Sequence, residues 1–171
     1  METIYFKGTP CHTYGFIPSV NSKAPCYSLV GADLKDITCG NLEGKRVVMN
    51  IFPSLDTAVC AMSVRKFNEE AAALDNTVVL CISMDLPFAM SRFCVAEGIE
   101  NVVPASAFRS PTFGQEYGLQ MVDGPLAGLL ARAVIVLDTD RTILYEELVN
   151  EITHEPDYKG ALSVLSKTKQ G

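Results

Sequence analysis

Three almost continuous apolar runs divide the chain. They span residues 46–52, 77–83 and 133–137, and each is rich in valine and isoleucine. Uninterrupted apolar runs of about four to eight residues are typical of buried strands that are covered on both faces. We therefore expect three central strands of one sheet, and Pro53 is expected to end the first of them.

Helical periodicity lies between these runs. From Thr57 onwards, apolar residues recur at helical spacing, which predicts an amphipathic helix. Its buried face is expected to carry Val59, Met62, Phe67, Ala71 and Leu74. Shorter helices are predicted over residues 88–96, 111–117 and 158–165, with Gly98 closing the first of these.

Short segments with β propensity complete the pattern. Residues 3–14 predict an N-terminal β-hairpin around Lys7-Gly8-Thr9-Pro10, and further short strands are predicted at 27–30, 36–38 and 142–145. Strands that alternate with helices predict an α/β protein with a central mixed β-sheet flanked by helices. The length fits a single domain over residues 1–171.

Composition limits the classes of function. The chain has 171 residues, a net charge of −6 and no cluster of lysine and arginine, so nucleic acid is not an expected partner. No apolar run reaches the ~20 residues that cross a bilayer. The opening residues lack the basic stretch and apolar core of a secretory signal. We expect a cytoplasmic protein without a membrane partner.

Six cysteines are the unusual feature of the composition. None forms a Cys-x-x-Cys pair, and His12 and His154 lie far apart, so no metal and no cofactor are expected. A chain that can build a core does not need disulfides, and its cysteines are expected to be reduced. Cys81 lies inside a predicted strand as an inert core residue. Three more match no motif, are expected to be free thiols and receive no role: Cys11, Cys26 and Cys39.

Cys60 lies in the first turn of the predicted helix that follows the first central strand. Unpaired N–H groups and the positive end of the helix dipole favour an anion there, and the thiolate is the nucleophilic form of cysteine. Thr57 stands three residues earlier, so its hydroxyl can reach the sulfur or a ligand bound beside it, and Pro53 supplies a rigid wall. Taken singly, each residue is more often a core residue, a cap or a strand end.

Together, Pro53, Thr57 and Cys60 form a Pro-x-x-x-Thr-x-x-Cys pattern that resembles the active-site signature of the peroxiredoxins. Three longer stretches resemble the thiol peroxidase subgroup of atypical two-cysteine type: residues 50–68, 85–94 and 123–133. This likeness covers nearly the whole chain. It implies a thioredoxin-like fold and an antioxidant enzyme that reduces hydrogen peroxide and organic hydroperoxides.

The resemblance also implies a role for each site residue. Cys60 is implied to be the peroxidatic cysteine and Cys94 the resolving cysteine, joined after oxidation by an intrachain disulfide that thioredoxin or a similar dithiol reduces. Thr57 and Arg132 are implied to be polar partners of Cys60, with Pro53 shielding the pocket. A homodimer is implied as well. Disulfide formation requires Cα atoms within about 7 Å, so we expect the Cys94 helix to unwind locally on oxidation.

A reactive cysteine can also serve functions other than peroxide reduction. A dithiol oxidoreductase is disfavoured by the sequence Cys60-Ala61-Met62-Ser63, and neither His12 nor His154 has a setting typical of the base of a cysteine hydrolase. A redox sensor shares the first chemical step, so the sequence does not separate it from an enzyme. Two interpretations stay open for an apolar group of residues before Arg132. The group either forms an apolar rim of the active site that favours organic hydroperoxides, or it belongs to the core: Met121, Gly124-Pro125-Leu126 and Leu129-Leu130.

Overall fold

A computed structural model describes residues 1–168 of the chain. Its strands are β1 (Thr3–Phe6), β2 (Thr9–His12), β3 (Ser28–Gly31), β4 (Asp36–Thr38), β5 (Arg46–Ile51), β6 (Thr77–Ser83), β7 (Val103–Ser106), β8 (Ala133–Leu137) and β9 (Ile143–Leu148). Its helices are α1 (Ala58–Ala71), α2 (Pro87–Glu97), α3 (Pro111–Glu116) and α4 (Tyr158–Thr168). Within this part of the chain, no helix is long and apolar enough to span a bilayer.

The central sheet contains seven strands in the order β4-β3-β7-β6-β5-β8-β9. β5 pairs in parallel with β6 and antiparallel with β8, so the sheet is mixed as predicted. Every residue of β5 and β8 is buried, because helices cover one face and α3 with the surrounding loops covers the other. This two-sided burial explains why the three apolar runs do not alternate with polar residues.

The helices α1, α2 and α4 pack on one face of the sheet. Phe67 of α1 meets Tyr158 of α4 edge to face, with ring centroids 5.2 Å apart. On the opposite face, Phe113 of α3 stacks on Tyr117 at 4.7 Å. Cys60, at the start of α1, belongs to the core cluster under the first group of helices.

The predicted N-terminal hairpin is present as the antiparallel pair β1–β2. Lys7 and Gly8 form its two-residue turn with φ values of 52° and 82°, as tight hairpins require. The hairpin docks on the segment after β9, where the Tyr5 N–H donates to the Asn150 carbonyl at 2.8 Å and the Ile152 N–H donates to the Tyr5 carbonyl at 2.9 Å. The beginning of the chain therefore lies against residues 150–152.

Two local expectations were wrong. The strand β7 was missed because Pro104 interrupts its pattern, although it pairs with both β6 and β3. In α1, Met62 is 41% exposed, so its predicted burial was wrong, whereas Phe67 is buried as predicted. The buried face also carries Cys60, Ala61, Ser63 and Val64. The helix begins after Thr57, and this start turns Cys60 rather than Met62 towards the sheet.

Candidate active site

Cys60 lies where strand β5 passes into helix α1. The Phe52 N–H still donates to the Ile82 carbonyl of β6 at 3.1 Å, and residues 53–57 then form the turn that leads into the helix. Cys60 is 0% exposed and packs against the core under α1. Its thiol is free. The sulfur is therefore held in the first turn of a helix and shielded from bulk water.

Arg132 reaches Cys60 from the residue before β8. Its side chain is 1% exposed, and its Nη2 donates a hydrogen bond to the Cys60 Sγ at 3.1 Å. Its Nε donates to the Ile152 carbonyl at 2.7 Å, which fixes the plane of the guanidinium. The Nη1 atom is also buried and has no hydrogen-bond partner among the described residues. The Arg132 guanidinium thus contacts the sulfur through Nη2, and its Nη1 is left as a donor without a partner.

A cavity of about 360 Å³ lies beside this pair. Arg132, Pro53 and Thr57 line it together with a mainly apolar group, Phe6, Ala58, Val59, Leu126 and Ile152. Of the apolar stretch before Arg132, Leu126 lines the cavity, whereas Met121 and Leu130 are buried in the core. Met121 and Leu130 are therefore core residues, whereas the interpretation of Leu126 as part of a rim for organic hydroperoxides stays a prediction.

Thr57 occupies the N-cap position of α1. Its hydroxyl donates to the Ser54 carbonyl at 3.1 Å, and its N–H donates to the same oxygen at 3.2 Å. No hydrogen bond joins Thr57 to Cys60 among the bonds of residues 1–168. Thr57 lines the cavity and its hydroxyl stabilises the turn, so the expected hydrogen bond to the sulfur is not formed in this structure.

Asp85 supports the turn before Cys60, and sequence reasoning missed it. Its carboxylate accepts hydrogen bonds from the Ser54 hydroxyl at 2.8 Å, the Leu55 N–H at 2.8 Å and the Ser83 hydroxyl at 2.6 Å. Ser54 and Asp85 are 31 positions apart, so no local pattern marks the pair. The contact could have been expected from the strand order, because the parallel strands β5 and β6 end at the same edge of the sheet, directly before Ser54 and Asp85.

Cys94 lies near the end of α2 as a free, partly buried thiol. Burial raises the pKa of this thiol. An ion pair joins α1 to the end of α2: Arg65 donates hydrogen bonds to the Glu97 carboxylate from Nη2 at 2.9 Å and from Nε at 3.1 Å. These hydrogen bonds lower the pKa of Glu97. The structure thus shows Cys60 and Cys94 as separate thiols on intact helices that are tied together.

Two of the other four cysteines differ from the expectation, and two agree with it. Cys26 and Cys39 are joined by a disulfide with Cα atoms 5.5 Å apart, so the prediction that both are free was wrong. The pairing of β3 with β4 brings the two together, which sequence spacing alone does not reveal. Cys11 and Cys81 are free and buried. Burial raises the pKa of Cys81 to about 12, with a weaker opposing effect from the Asn50 amide.

The hydrogen bonds of the His12 ring and of the His154 N–H go to Asp123 and Glu151 rather than to a thiol. His12 Nδ1 contacts the Asp123 carboxylate at 2.6 Å on the surface, and the His154 N–H donates to the Glu151 carbonyl. Among residues 1–168, no hydrogen bond joins a histidine to a thiol. The same residues contain no group of three metal-ligating side chains.

An α/β fold that places a buried cysteine at a helix start, beside a buried arginine and an apolar cavity, defines the peroxiredoxin class. Comparison with known proteins agrees. A sequence profile of the Redoxin family matches residues 19–162. The chain is 52% identical to a thiol peroxidase of Corynebacterium glutamicum over 166 residues, covering 97% of this chain and 100% of the relative. It is 54% identical to a thiol peroxidase of Mycobacterium tuberculosis over 165 residues, covering 96% and 99%.

Solved structures support the same assignment. A peroxiredoxin-like protein from Aquifex aeolicus superposes with a TM-score of 0.90 at 39% identity, covering 99% of this chain and 97% of that one. A thiol peroxidase from Chromobacterium violaceum gives a TM-score of 0.90 at 18% identity over 99% of each chain, which shows the fold. The chain therefore belongs to the Redoxin family, among its thiol peroxidases, and the predicted thioredoxin-like fold and family resemblance are confirmed.

Proposed function

We propose that this thiol peroxidase reduces hydroperoxides with Cys60 as the peroxidatic cysteine. The contact of 3.1 Å between the Arg132 Nη2 and the Cys60 Sγ carries the proposal. A guanidinium keeps its charge at all relevant pH values, so Arg132 can stabilise negative charge at the sulfur and on the leaving oxygen during the reaction. Its unpartnered Nη1 supplies a donor for a substrate oxygen.

The first step is a displacement at oxygen. The Cys60 thiolate attacks the terminal oxygen of the hydroperoxide, the O–O bond breaks, and an S–O bond forms. The leaving alkoxide, or hydroxide from hydrogen peroxide, takes up a proton and departs as alcohol or water. Arg132 stabilises the charge that moves from sulfur to the leaving oxygen, Pro53 shields the site, and Thr57 offers a hydroxyl to the peroxide.

The second step joins Cys60 to Cys94. The Cys94 thiol attacks the Cys60 sulfenic acid, water leaves, and an intrachain disulfide forms. Both cysteines start on folded helices, and burial raises the pKa of Cys94, so the end of α2 must open before its thiolate can attack. Because the ion pair between Arg65 and Glu97 joins this end of α2 to α1, the ion pair breaks during this step.

Thioredoxin or a similar dithiol then reduces the disulfide in the cytoplasm. Four of the six cysteines, Cys11, Cys60, Cys81 and Cys94, are free, which supports a reducing compartment, and the Cys26–Cys39 disulfide is the exception. The protein acts as a homodimer. Leu86 and Phe88, which are 52% and 68% exposed and line one shallow pocket with Met84, support an apolar contact between subunits.

The cavity also supports a substrate preference. Its lining is mainly apolar, so an organic hydroperoxide such as cumene hydroperoxide gains contacts that hydrogen peroxide lacks. We expect a higher kcat/KM for cumene hydroperoxide. Equal values for the two substrates would contradict this preference without affecting the role of Cys60.

Single-cysteine variants test the proposal. Peroxide consumption is followed with a thioredoxin recycling system in Cys60→Ser, Cys94→Ser and, as a matched control that removes a buried free thiol, Cys11→Ser. Cys60→Ser should lose all activity, and Cys94→Ser should react once with peroxide and then stop. Cys11→Ser should turn over repeatedly. Full activity of Cys60→Ser would overturn the assignment, and a single turnover by the unaltered protein would identify a sensor instead.

A further inference from the structure

The Cys26–Cys39 disulfide closes the edge of the central sheet. Cys26 lies two residues before β3 and Cys39 directly follows β4, the strand at the sheet edge. The Cys39 N–H donates to the Tyr27 carbonyl at 3.1 Å, continuing the β3–β4 pairing by one step. The disulfide thus joins the two free ends of an edge hairpin.

The two sulfurs differ in accessibility. Cys26 is exposed, whereas Cys39 is 9% exposed and packs in the core cluster with Tyr27 and Leu29. Thiol–disulfide exchange begins when a thiolate attacks one sulfur and expels the other. An incoming thiolate can reach Cys26, so Cys39 is the leaving group.

A cleft of about 470 Å³ leads to Cys26. It lies between β3 and α3, and polar side chains line much of it, including Arg109, Ser110, Thr112 and Glu116. The Arg109 side chain is about half exposed while its Nη2 pairs with Asp36 Oδ1 at 2.8 Å. The cleft has room for a small thiol, and a carboxylate on that thiol can replace the exposed Asp36 as the partner of the Arg109 guanidinium.

This cleft is separate from the peroxidase cavity. Residues that line the cleft do not line the cavity beside Cys60. In the sheet, β7 and β6 lie between β3, next to Cys26, and β5, which leads to Cys60. Chemistry at Cys26 therefore does not require Cys60 or Cys94.

We propose that Cys26 and Cys39 are a second thiol–disulfide couple, opened by a small carboxylate-bearing thiol that enters the cleft and forms a mixed disulfide at Cys26. In the first step the thiolate bonds to the Cys26 Sγ, the bond between the two cysteines breaks, and Cys39 leaves as a thiolate and takes up a proton. A second thiol releases Cys26 as a thiol and departs as the symmetrical disulfide. In total, two thiols are oxidised and one protein disulfide is reduced.

Peptide mapping tests where the thiol attaches. The full-length Cys60→Ser, Cys94→Ser variant is incubated with glutathione in the folded state, quenched with acid, alkylated and digested. We expect glutathione on Cys26 and the alkylating agent on Cys39. Comparable glutathione on both residues, or an intact disulfide in the folded protein that opens only after denaturation, would overturn the proposal.

The cleft itself is tested by removing its cation. Arg109→Gln should slow the reaction with glutathione by about two- to fivefold at low salt and leave the reaction with neutral β-mercaptoethanol unchanged. Arg92→Gln, which removes an exposed arginine on α2, is the matched control and should change neither rate. An equal loss for both thiols in Arg109→Gln would refute the role of the cleft. Peroxidase activity is measured separately in the double variant Cys26→Ser, Cys39→Ser. If the activity is retained, the outcome at Cys26 is independent of the proposed function.

Discussion

Replacing Arg132 by methionine removes the cation beside Cys60 while filling a similar volume. The variant loses the hydrogen bond of 3.1 Å from Nη2 to the Cys60 Sγ and the unpartnered Nη1 donor. Donors that stabilise developing charge in a buried site are worth about 3–4 kcal/mol, or about 10²- to 10³-fold in rate. We therefore expect kcat/KM for peroxide to fall by about two to three orders of magnitude.

The same change also costs stability, which the assay must separate from the chemistry. The Ile152 carbonyl loses the Nε donor at 2.7 Å, and an unsatisfied buried acceptor costs about 1–3 kcal/mol. Arg46→Met is the matched control, since Arg46 is also buried and donates to the Leu165 and Asp75 carbonyls. It removes a buried guanidinium that does not touch Cys60.

Rapid mixing with one equivalent of hydroperoxide, acid quenching and mass analysis measure the first turnover directly. Thermal unfolding is recorded for each variant, and the rates are compared below the lower transition. Arg132→Met should react slowly while folded, and Arg46→Met should react at the normal rate. If folded Arg132→Met reacts within threefold of the unaltered protein, or if both variants slow equally, the electrostatic role of Arg132 is wrong.

The remaining contacts allow three further predictions. Asp85→Asn weakens the hydrogen bonds to Ser54 and Leu55 and should slow the first turnover about five- to thirtyfold, corresponding to about 1–2 kcal/mol, whereas Asp138→Asn in the turn after β8 should not. The Thr153 N–H, and to a smaller extent the Gly8 N–H, donate to Glu151 and lower its pKa to about 2. The stabilisation of the hairpin by this carboxylate is therefore fully present above the usual pKa of 4.5 and is lost as the pH falls through about 2. Glu151→Gln should therefore remove part of the decrease in Tm between pH 4.5 and pH 2, and an unchanged decrease would contradict this. The double variant Cys26→Ser, Cys39→Ser opens a loop with a sequence separation of 13 and should lose about 3 kcal/mol, or about 6–12 °C in Tm, with peroxide turnover retained.

The sequence predicted those features that depend on neighbouring residues. The strands β5, β6 and β8 follow from uninterrupted apolar runs, and Gly98 ends α2 with a φ of 65°, as a glycine after a helix often does. The strand β7 was missed because Pro104 is unfavourable for a paired strand, yet the pairing on both sides outweighs it.

Features that depend on distant residues were not predicted. The hydrogen bonds of Asp85 and the disulfide of Cys26 with Cys39 depend on which strands become neighbours, and residue spacing does not specify this. The position of Arg132 was anticipated through the family pattern. Its separation from Cys60 by 72 residues explains why no local rule gives the contact.

The docking of the N-terminal hairpin has a consequence for protein synthesis. Phe6 and Lys7 form one wall of the cavity, and Ile152 and Thr153 form another, so the pocket closes through contacts between the two ends of the chain. A nascent chain that has left the ribosome only as far as Arg132 carries both cysteines but lacks this second wall. Peroxide reduction therefore requires that the chain through residue 153 has emerged from the ribosome and packed against the hairpin. Removal of residues 1–7 should reduce it by opening the cavity, without removing any residue that contacts the sulfur.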